Sequence, residues 1–290
     1  MSEVVTGHIQ PDCWVDGSPA DNVTVSDRGL QYGDGVFETI RIVAGAVTLE
    51  ALHYRRLMHS CDRLQIPLCS ELLSQQVARF LAGRGDGILK VMVTRGSGGR
   101  GYNPSGACGR IILRWFALPA YDSDWAEKGV TVTLCRTRLG HSPSLAGLKH
   151  MNRLEQVLAR SEWNSPEIAE GLVFDLTENL IEGTMTNLFL VRDKRLLTPD
   201  LSLSGVDGVM RQWLLEESSI KENIEIRPLT LADLHQADEV FLTNSVIGLW
   251  PVIRCDKKHW EKGPVTTLLL KEVSALFAMD NCFHSGALDG

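Results

Sequence analysis

The stretch SLAGLKHMNRLEQ (residues 144–156) decides how this chain is read, because it sets a lysine where a lysine needs a reason. Lys149 follows an apolar, glycine-containing loop. It precedes Met151, Leu154, Val157 and Leu158, which recur at i, i+3, i+6 and i+7 and predict an amphipathic helix. Lysine is seldom buried without a partner. Partial burial lowers its pKa and leaves more of it as a neutral, nucleophilic amine. The stretch therefore suits an amine held for covalent chemistry. It also suits a solvated residue ahead of a helix, and the rest of the chain has to choose between the two.

Working outward, the flanking segments read as strands with helices inserted. Residues 12–15 and 22–26 flank Asp16-Gly17, a hairpin signal. Residues 36–43 (VFETIRIV) alternate, turn at Ala44-Gly45 and continue through 46–49. Helical spacing follows over 50–66 (Tyr54, Leu57, Met58, Cys61, Leu64) and 70–82 (Leu73, Val77, Phe80, Leu81). Strands are expected at 88–94, 110–118, 130–137, 171–176, 187–192 and 238–243. Helices are expected after the glycine turn SGVDG (204–208), with the stripe Val209, Met210, Trp213 and Leu214, and near 265–278. Strands outnumber helices without alternating strictly with them, which favours α+β over a doubly wound sheet. The polar run PAYDSD (119–124) marks a linker. The expected division is residues 1–119, a linker at 120–126, and residues 127–290.

The bulk numbers exclude several classes. A net charge of -7 argues against broad nucleic-acid binding. Seven cysteines are scattered with no CxxC pair, the usage of a reduced intracellular chain and not of a zinc site or disulfide framework. The start, MSEVVTGHIQPD, shows no basic region followed by an apolar run, and no apolar run is long enough to span a membrane. The expectation is a cytoplasmic protein. The tail DNCFHSGALDG (280–290) carries no readable signal. GSGGRG (96–101) matches GxGxxG, but YNPSGACGR and another strand follow it. No helix opens there to receive a pyrophosphate, so the run reads as a hairpin loop. Its arginines, Arg95 and Arg100, together with its backbone N–H groups, are an alternative site for a carboxylate-rich ligand.

Pyridoxal phosphate (PLP) chemistry needs three things from a chain. They are an amine, a carboxylate facing the pyridine nitrogen, and a phosphate cup built from a helix N-terminus and often an arginine. Candidates for each exist. Glu182 sits in ENLIEGTMTN (178–187) between two expected strands. GVDG (205–208) opens a helix, LTNS (242–245) ends a strand, and Arg56 lies off the apolar stripe of its helix. Each has a plain reading as well. Glu182 is then a turn carboxylate, Gly205 and Gly208 are turn punctuation, Arg56 is an exposed helix charge, and Asp27, Arg28 and Asp34 are loop charges. Composition and spacing alone leave PLP as one reading among several, beside a nucleotide-binding protein and a non-catalytic binding module.

The motifs go further. SDRGLQYGDGVFET (26–39), HYRRL (53–57), KHMNRLEQ (149–156), EGTMTNLF (182–189), GVDGVMR (205–211) and FLTNS (241–245) occur in this order from about residue 12 to about 255. They resemble the signatures of the fold-type IV PLP enzymes, which comprise branched-chain and D-amino acid aminotransferases and 4-amino-4-deoxychorismate lyase. TRGSGGRGY (94–102) and LGHSPSLAGLKHMNRLEQ (139–156) look most like the lyase. The branched-chain enzymes typically carry a GSGENIF-like run where this chain has GTMTNLF (183–189).

The resemblance implies two α+β domains with PLP in the cleft between them, in a homodimer whose partner subunit completes the site. It implies Lys149 as the lysine that bonds PLP and Glu182 as the partner of the pyridine nitrogen. Arg56, the N–H groups of Val206 and Asp207, and the Ser245 region would bind the phosphate. Ser245 stands where some relatives have threonine and some lyases have no hydroxyl. Thr39 matches a threonine of the lyase and a glycine of the branched-chain enzymes, and would assist proton transfer. Tyr32 and the loop with Arg95, Arg100 and Tyr102 would face a substrate. The implied reaction converts 4-amino-4-deoxychorismate to 4-aminobenzoate and pyruvate, a step of folate biosynthesis. The alternative is an aminotransferase for branched-chain or D-amino acids.

Overall fold

The structure, a computed structural model, describes residues 11–121 and 124–279. The expectations for the first ten residues, the tail after 279, Cys282 and part of the 120–126 linker lie outside the described residues.

A six-stranded sheet comes first. Its elements are β1 (Cys13–Val15), β2 (Ser18–Pro19), α1 (Arg28–Tyr32), β3 (Gly35–Val43), β4 (Ala46–Val47), α2 (Glu50–Arg63), α3 (Ser70–Leu81), β5 (Gly87–Thr94) and β6 (Arg110–Phe116). The strand order is β2-β1-β6-β5-β3-β4. Period-two alternation gives this sheet one apolar face. Val36, Ile40 and Ile42, with Leu89, Val91, Val93, Ile111 and Leu113, pack on Leu57, Cys61, Leu73, Val77 and Phe80 of α2 and α3. The opposite face carries Phe37, Thr39 and Arg41 on β3. It is only partly covered.

The second sheet follows α4 (Trp125–Lys128). Its strands are β7 (Val130–Leu139), β8 (Ile168–Asp175), β9 (Leu180–Gly183), β10 (Asn187–Arg192), β11 (Arg195–Pro199), β12 (Ile224–Arg227), β13 (Glu239–Asn244), β14 (Gly248–Cys255) and β15 (Lys258–His259). Between and after them lie α5 (Leu154–Arg160), α6 (Val209–Glu216), α7 (Leu231–Gln236) and α8 (Pro264–Met279). The order is β12-β11-β10-β13-β14-β7-β8-β9, and β9 pairs β10 as well as β8. That second pairing closes six strands into a barrel filled by Val132, Leu172, Leu180, Leu188, Leu190, Leu242, Trp250 and Val252. A separate cluster joins β10 and β13 to α6 and α8 through Phe189, Val209, Trp213, Phe241 and Leu269.

The α+β class holds, and several local expectations change. Asp16-Gly17 is the hairpin turn, with both φ positive, but its second strand is Ser18–Pro19 and residues 22–26 form no strand. The helix after Lys149 begins only at Leu154, five residues beyond the lysine, and its apolar stripe faces outward. Leu154, Val157 and Leu158 are 77%, 61% and 59% exposed, and within α5 only Ala159 is buried. Periodicity reports an apolar face but not which surface covers it. Two aromatic residues within 120–126 are packed. Tyr121 and Trp125 stack on one another and meet Trp250 edge-on. The loop 95–109 joins antiparallel β5 and β6, with no helix after its glycines.

Candidate active site

Lys149 lies where the two sheets meet. Its carbonyl accepts from Phe37 N–H of β3 (2.9 Å), and Met151 N–H donates to Gly35 O (2.9 Å). On the other side, Gly147 N–H donates to Gly205 O (3.0 Å) and Asp207 N–H to Gly147 O (3.0 Å). The backbone around the lysine is thus bonded to both halves of the fold. The side chain is half-buried, with Nζ 4.7 Å from the Phe37 ring centroid. Among the described residues Nζ has no hydrogen-bond or ion-pair partner. Burial, reinforced by the Arg56 charge, lowers its pKa to about 7, against the pull of Glu38 and Glu182.

Glu182, on β9, is 3% exposed, and one of its oxygens accepts from Val206 N–H (2.8 Å). Burial pushes its pKa up to about 7, although that N–H and the charges of Arg153 and Lys149 favour the anion. The loop that presents Val206 is shaped by glycine. Gly205 has φ +86°, and a Cβ there would stand 2.8 Å from Ile181 and 3.2 Å from Glu182 Oε2. A Cβ at Gly208 would stand 1.8 Å from Asn187 Oδ1, and the Asn187 amide donates to Val206 O (2.8 Å).

Arg56 is buried, not exposed. It lies on the α2 face that also carries Leu52, His53, Leu57, Ser60 and Cys61. Its guanidinium donates through Nε to Glu38 Oε1 (2.7 Å), through Nη2 to Glu38 Oε2, and through Nη1 to Asp207 O (3.1 Å). His53 Nδ1 completes the cluster, 2.7 Å from Glu38 Oε2. Burial alone would raise the Glu38 pKa, but Arg56 and His53 outweigh it and hold the carboxyl at about 2. Removing one partner of so buried a pair generally costs about 3–5 kcal/mol. Arg56 is accordingly a fixed cation that ties α2 to the 205–208 loop.

The other expected site residues fall into two groups. Ser245 Oγ donates to Thr39 O (2.8 Å), so these two residues bridge the sheets, and Thr39 shares the Phe37 face of β3. The N–H groups of Val206 and Asp207, expected to face a phosphate, are bonded to Glu182 and to Gly147 O. The loop therefore acts first on Glu182 and on Arg56. Arg95 is also engaged elsewhere. Nε pairs with Asp34 (2.8 Å), while Nη1 and Nη2 donate to Gln65 O (2.6 Å) and Leu64 O (2.7 Å). Arg28 grips the same Asp34 (2.8 Å) and the carbonyls of Gly101 (2.9 Å) and Tyr102 (3.2 Å), which orders the glycine loop. Tyr32, Arg95 and Tyr102 line a cavity of about 320 Å³ that reaches His150 and Asn152, the near neighbours of Lys149. Arg100 is exposed and does not line it.

Sequence reading missed the roles of Glu38, His53 and Arg153, of the Arg28–Asp34–Arg95 cluster and of the buried Asp27. A signal for Glu38 existed. It stands between Val36 and Ile40 on the core face of an alternating strand, where a charge needs a partner. Asp27 caps α1 by accepting Gly29 N–H (2.8 Å) and pairs with Arg110 (2.7 Å), a link between segments 83 residues apart that no local pattern carries.

With this geometry in place, known proteins are informative. The amino-transferase class IV family profile matches residues 35–255. An aminodeoxychorismate lyase of Vibrio harveyi is 42% identical over 243 residues, covering 82% of this chain and 89% of that protein. A putative branched-chain-amino-acid aminotransferase of Methanocaldococcus jannaschii is 34% identical over 241 residues, covering 81% of this chain and 83% of that one. The crystal structure of 4-amino-4-deoxychorismate lyase from Pseudomonas aeruginosa superposes with a TM-score of 0.88 at 48% identity, covering 91% of this chain and 98% of that chain.

Proposed function

The chain belongs to the amino-transferase class IV family, and from that premise we propose that it is a PLP-dependent lyase converting 4-amino-4-deoxychorismate to 4-aminobenzoate and pyruvate. One observation carries the reading. A half-buried lysine without an ion-pair partner stands with a buried carboxylate of raised pKa and a fixed arginine, in a chain 42% and 48% identical to two lyases.

The family's cofactor is PLP, and the residues present fit it. Glu182 is buried, accepts one backbone N–H, and is still raised in pKa despite the nearby charges of Arg153 and Lys149, so it would suit a protonated pyridine nitrogen as a further partner. Lys149 offers an amine that is about half neutral at neutral pH. Arg56 and the Ser245 region would hold the phosphate, while Val206 and Asp207 support them by fixing Glu182 and Arg56. Bound there, the cofactor's ring supplies an electron sink for charge developing at the carbon that bears the substrate amine.

The chain's own residues supply the proton transfers. The neutral Lys149 amine removes the proton from that carbon, because at a pKa near the working pH it both accepts and returns a proton readily. With the cofactor bound, Glu182 would balance positive charge at its ring nitrogen. Lys149 then delivers a proton to the carbon of the departing three-carbon acid, and the Thr39 hydroxyl, on the Phe37 face of β3, would assist as a hydrogen-bond donor. Substrate carboxylates would meet the Tyr32, Arg95 and Tyr102 cavity through the donors that Asp34 and the backbone leave open, and Arg100 from the loop. The same reading keeps the boundary between the two α+β units at 120–126. It also takes a second copy of the chain as partner, for which the exposed apolar side chains of α5 are a supporting observation. Among the described residues no helix is long and apolar enough to cross a membrane.

The aminotransferase relative favours a second reading on the same scaffold, transfer of the amino group to a keto acid. The two separate in one assay. Purified protein given 4-amino-4-deoxychorismate and no keto acid is expected to release 4-aminobenzoate and pyruvate in equal amounts. No product without a keto acid, together with amino transfer when one is added, would move the reaction to transamination.

A further inference from the structure

Three successive carbonyls around the reactive lysine are pinned, and one side chain pins two of them. Arg153 Nη2 donates to Leu148 O (2.9 Å) and Arg153 Nε to His150 O (2.8 Å), while Phe37 N–H takes Lys149 O (2.9 Å). Arg153 is also the N-cap residue of α5, where it makes no side-chain cap. Helices favour Ser, Thr, Asp or Asn at that position because the side chain must accept an N–H, and arginine has no acceptor to give. The helix forgoes its cap, and the guanidinium turns back to bracket Lys149.

We propose that Arg153 is the positioning residue of this site, clamping the backbone on both sides of Lys149 and setting a fixed positive charge beside Lys149 and Glu182. The inference rests on the reading of Lys149 as the reacting amine. Charged groups on four elements act on that amine. Arg56 and His53 stand on α2, Glu38 on β3, Glu182 on β9, and Arg153 at the start of α5. Arg56 and Arg153 favour the neutral amine, whereas Glu38 and Glu182 oppose it. For Glu182 the Arg153 charge works the other way and favours the carboxylate. One cation thus prepares the amine as base and the carboxylate as anion.

The test separates a clamp carrying charge from simple backbone knitting. Lys149 in full-length, PLP-free protein is titrated by its rate of modification with an amine-reactive reagent, read on the peptide that contains it. The wild type should show a midpoint at about 7. Arg153→Met should raise the midpoint by about one unit, cutting the neutral fraction at pH 7 roughly five-fold. Arg153→Lys should keep the midpoint close to wild type, since the charge remains. It should nevertheless release PLP faster and lower kcat with little change in KM, since one ammonium cannot bracket both carbonyls. An unchanged midpoint in Arg153→Met overturns the proposal. If that variant does not fold, unchanged PLP release and kcat in Arg153→Lys overturn it instead. PLP failing to protect Lys149 from the reagent would sink the role of Lys149, while the midpoint shift would still report the clamp.

Discussion

Lys149→Ala is expected to fold as the wild type does and to turn over at no more than about one ten-thousandth of its rate. The first half follows from where the bonds are. The ties of segment 147–151 to both sheets are made by main-chain atoms, namely Phe37 N–H to Lys149 O, Met151 N–H to Gly35 O, and Gly147 with Gly205 and Asp207. Nζ itself has no hydrogen-bond or ion-pair partner among the described residues, so truncation orphans no buried polar group. Removing a desolvated amine should leave Tm near the wild-type value. The second half follows from chemistry, because the same amine is asked to bond the cofactor, take a proton and return one. Thermal melts, steady-state rates and the absorbance of bound PLP check both halves. A melted variant would refute the account of the backbone, and a working one would refute the account of the amine.

Glu182→Gln carries the second large effect, and it has two parts of opposite sign. Turnover should fall roughly 100- to 1000-fold, the scale for losing one preorganised electrostatic partner in a closed site. Stability of the PLP-free protein should instead improve at neutral pH. The Glu182 pKa is about 7 in the folded chain against an ordinary 4.5, so the folded state holds the proton more tightly than the unfolded state does. That contribution is fully present below pH 4.5 and is lost as pH rises to about 7. It reaches about 3 kcal/mol. Glutamine cannot ionise, so the variant's stability should lose this segment of its pH dependence. Denaturant melts on either side of that window measure it. An unchanged profile would mean that the carboxylate is not held against ionisation.

The sequence was legible where a local period or a motif carried the information. The alternation of 36–43, the stripes of α3 and α6, and the glycine turn before α6 all appear where expected. So did the company of Lys149, because Glu182, Arg56 and the 205–208 loop do meet around it. What failed had non-local causes. Arg56 read as off its helix stripe because its partner, Glu38, lies 18 residues away. Arg95 lines the cavity with Tyr32 and Tyr102, but a sequence cannot show that its Nε, Nη1 and Nη2 also donate to Asp34, Gln65 and Leu64. Strand β9, which carries Glu182, hid inside a polar loop because it is four residues long and gains its place by pairing both β8 and β10. The stripe of α5 was real, but the described chain leaves it uncovered.

The central claim is that Lys149 is the amine that bonds the cofactor, and a rival amine stands close by. Lys90 Nζ lies 5.0 Å from the centroid of the same Phe37 ring and is also lowered in pKa by burial. The direct measurement is to load the full chain with PLP, fix the lysine–cofactor bond with borohydride, digest the protein and locate the added mass. The account predicts the label on the peptide containing Lys149 and none on the peptide containing Lys90. Label on Lys90, or no fixed label at all, would contradict it.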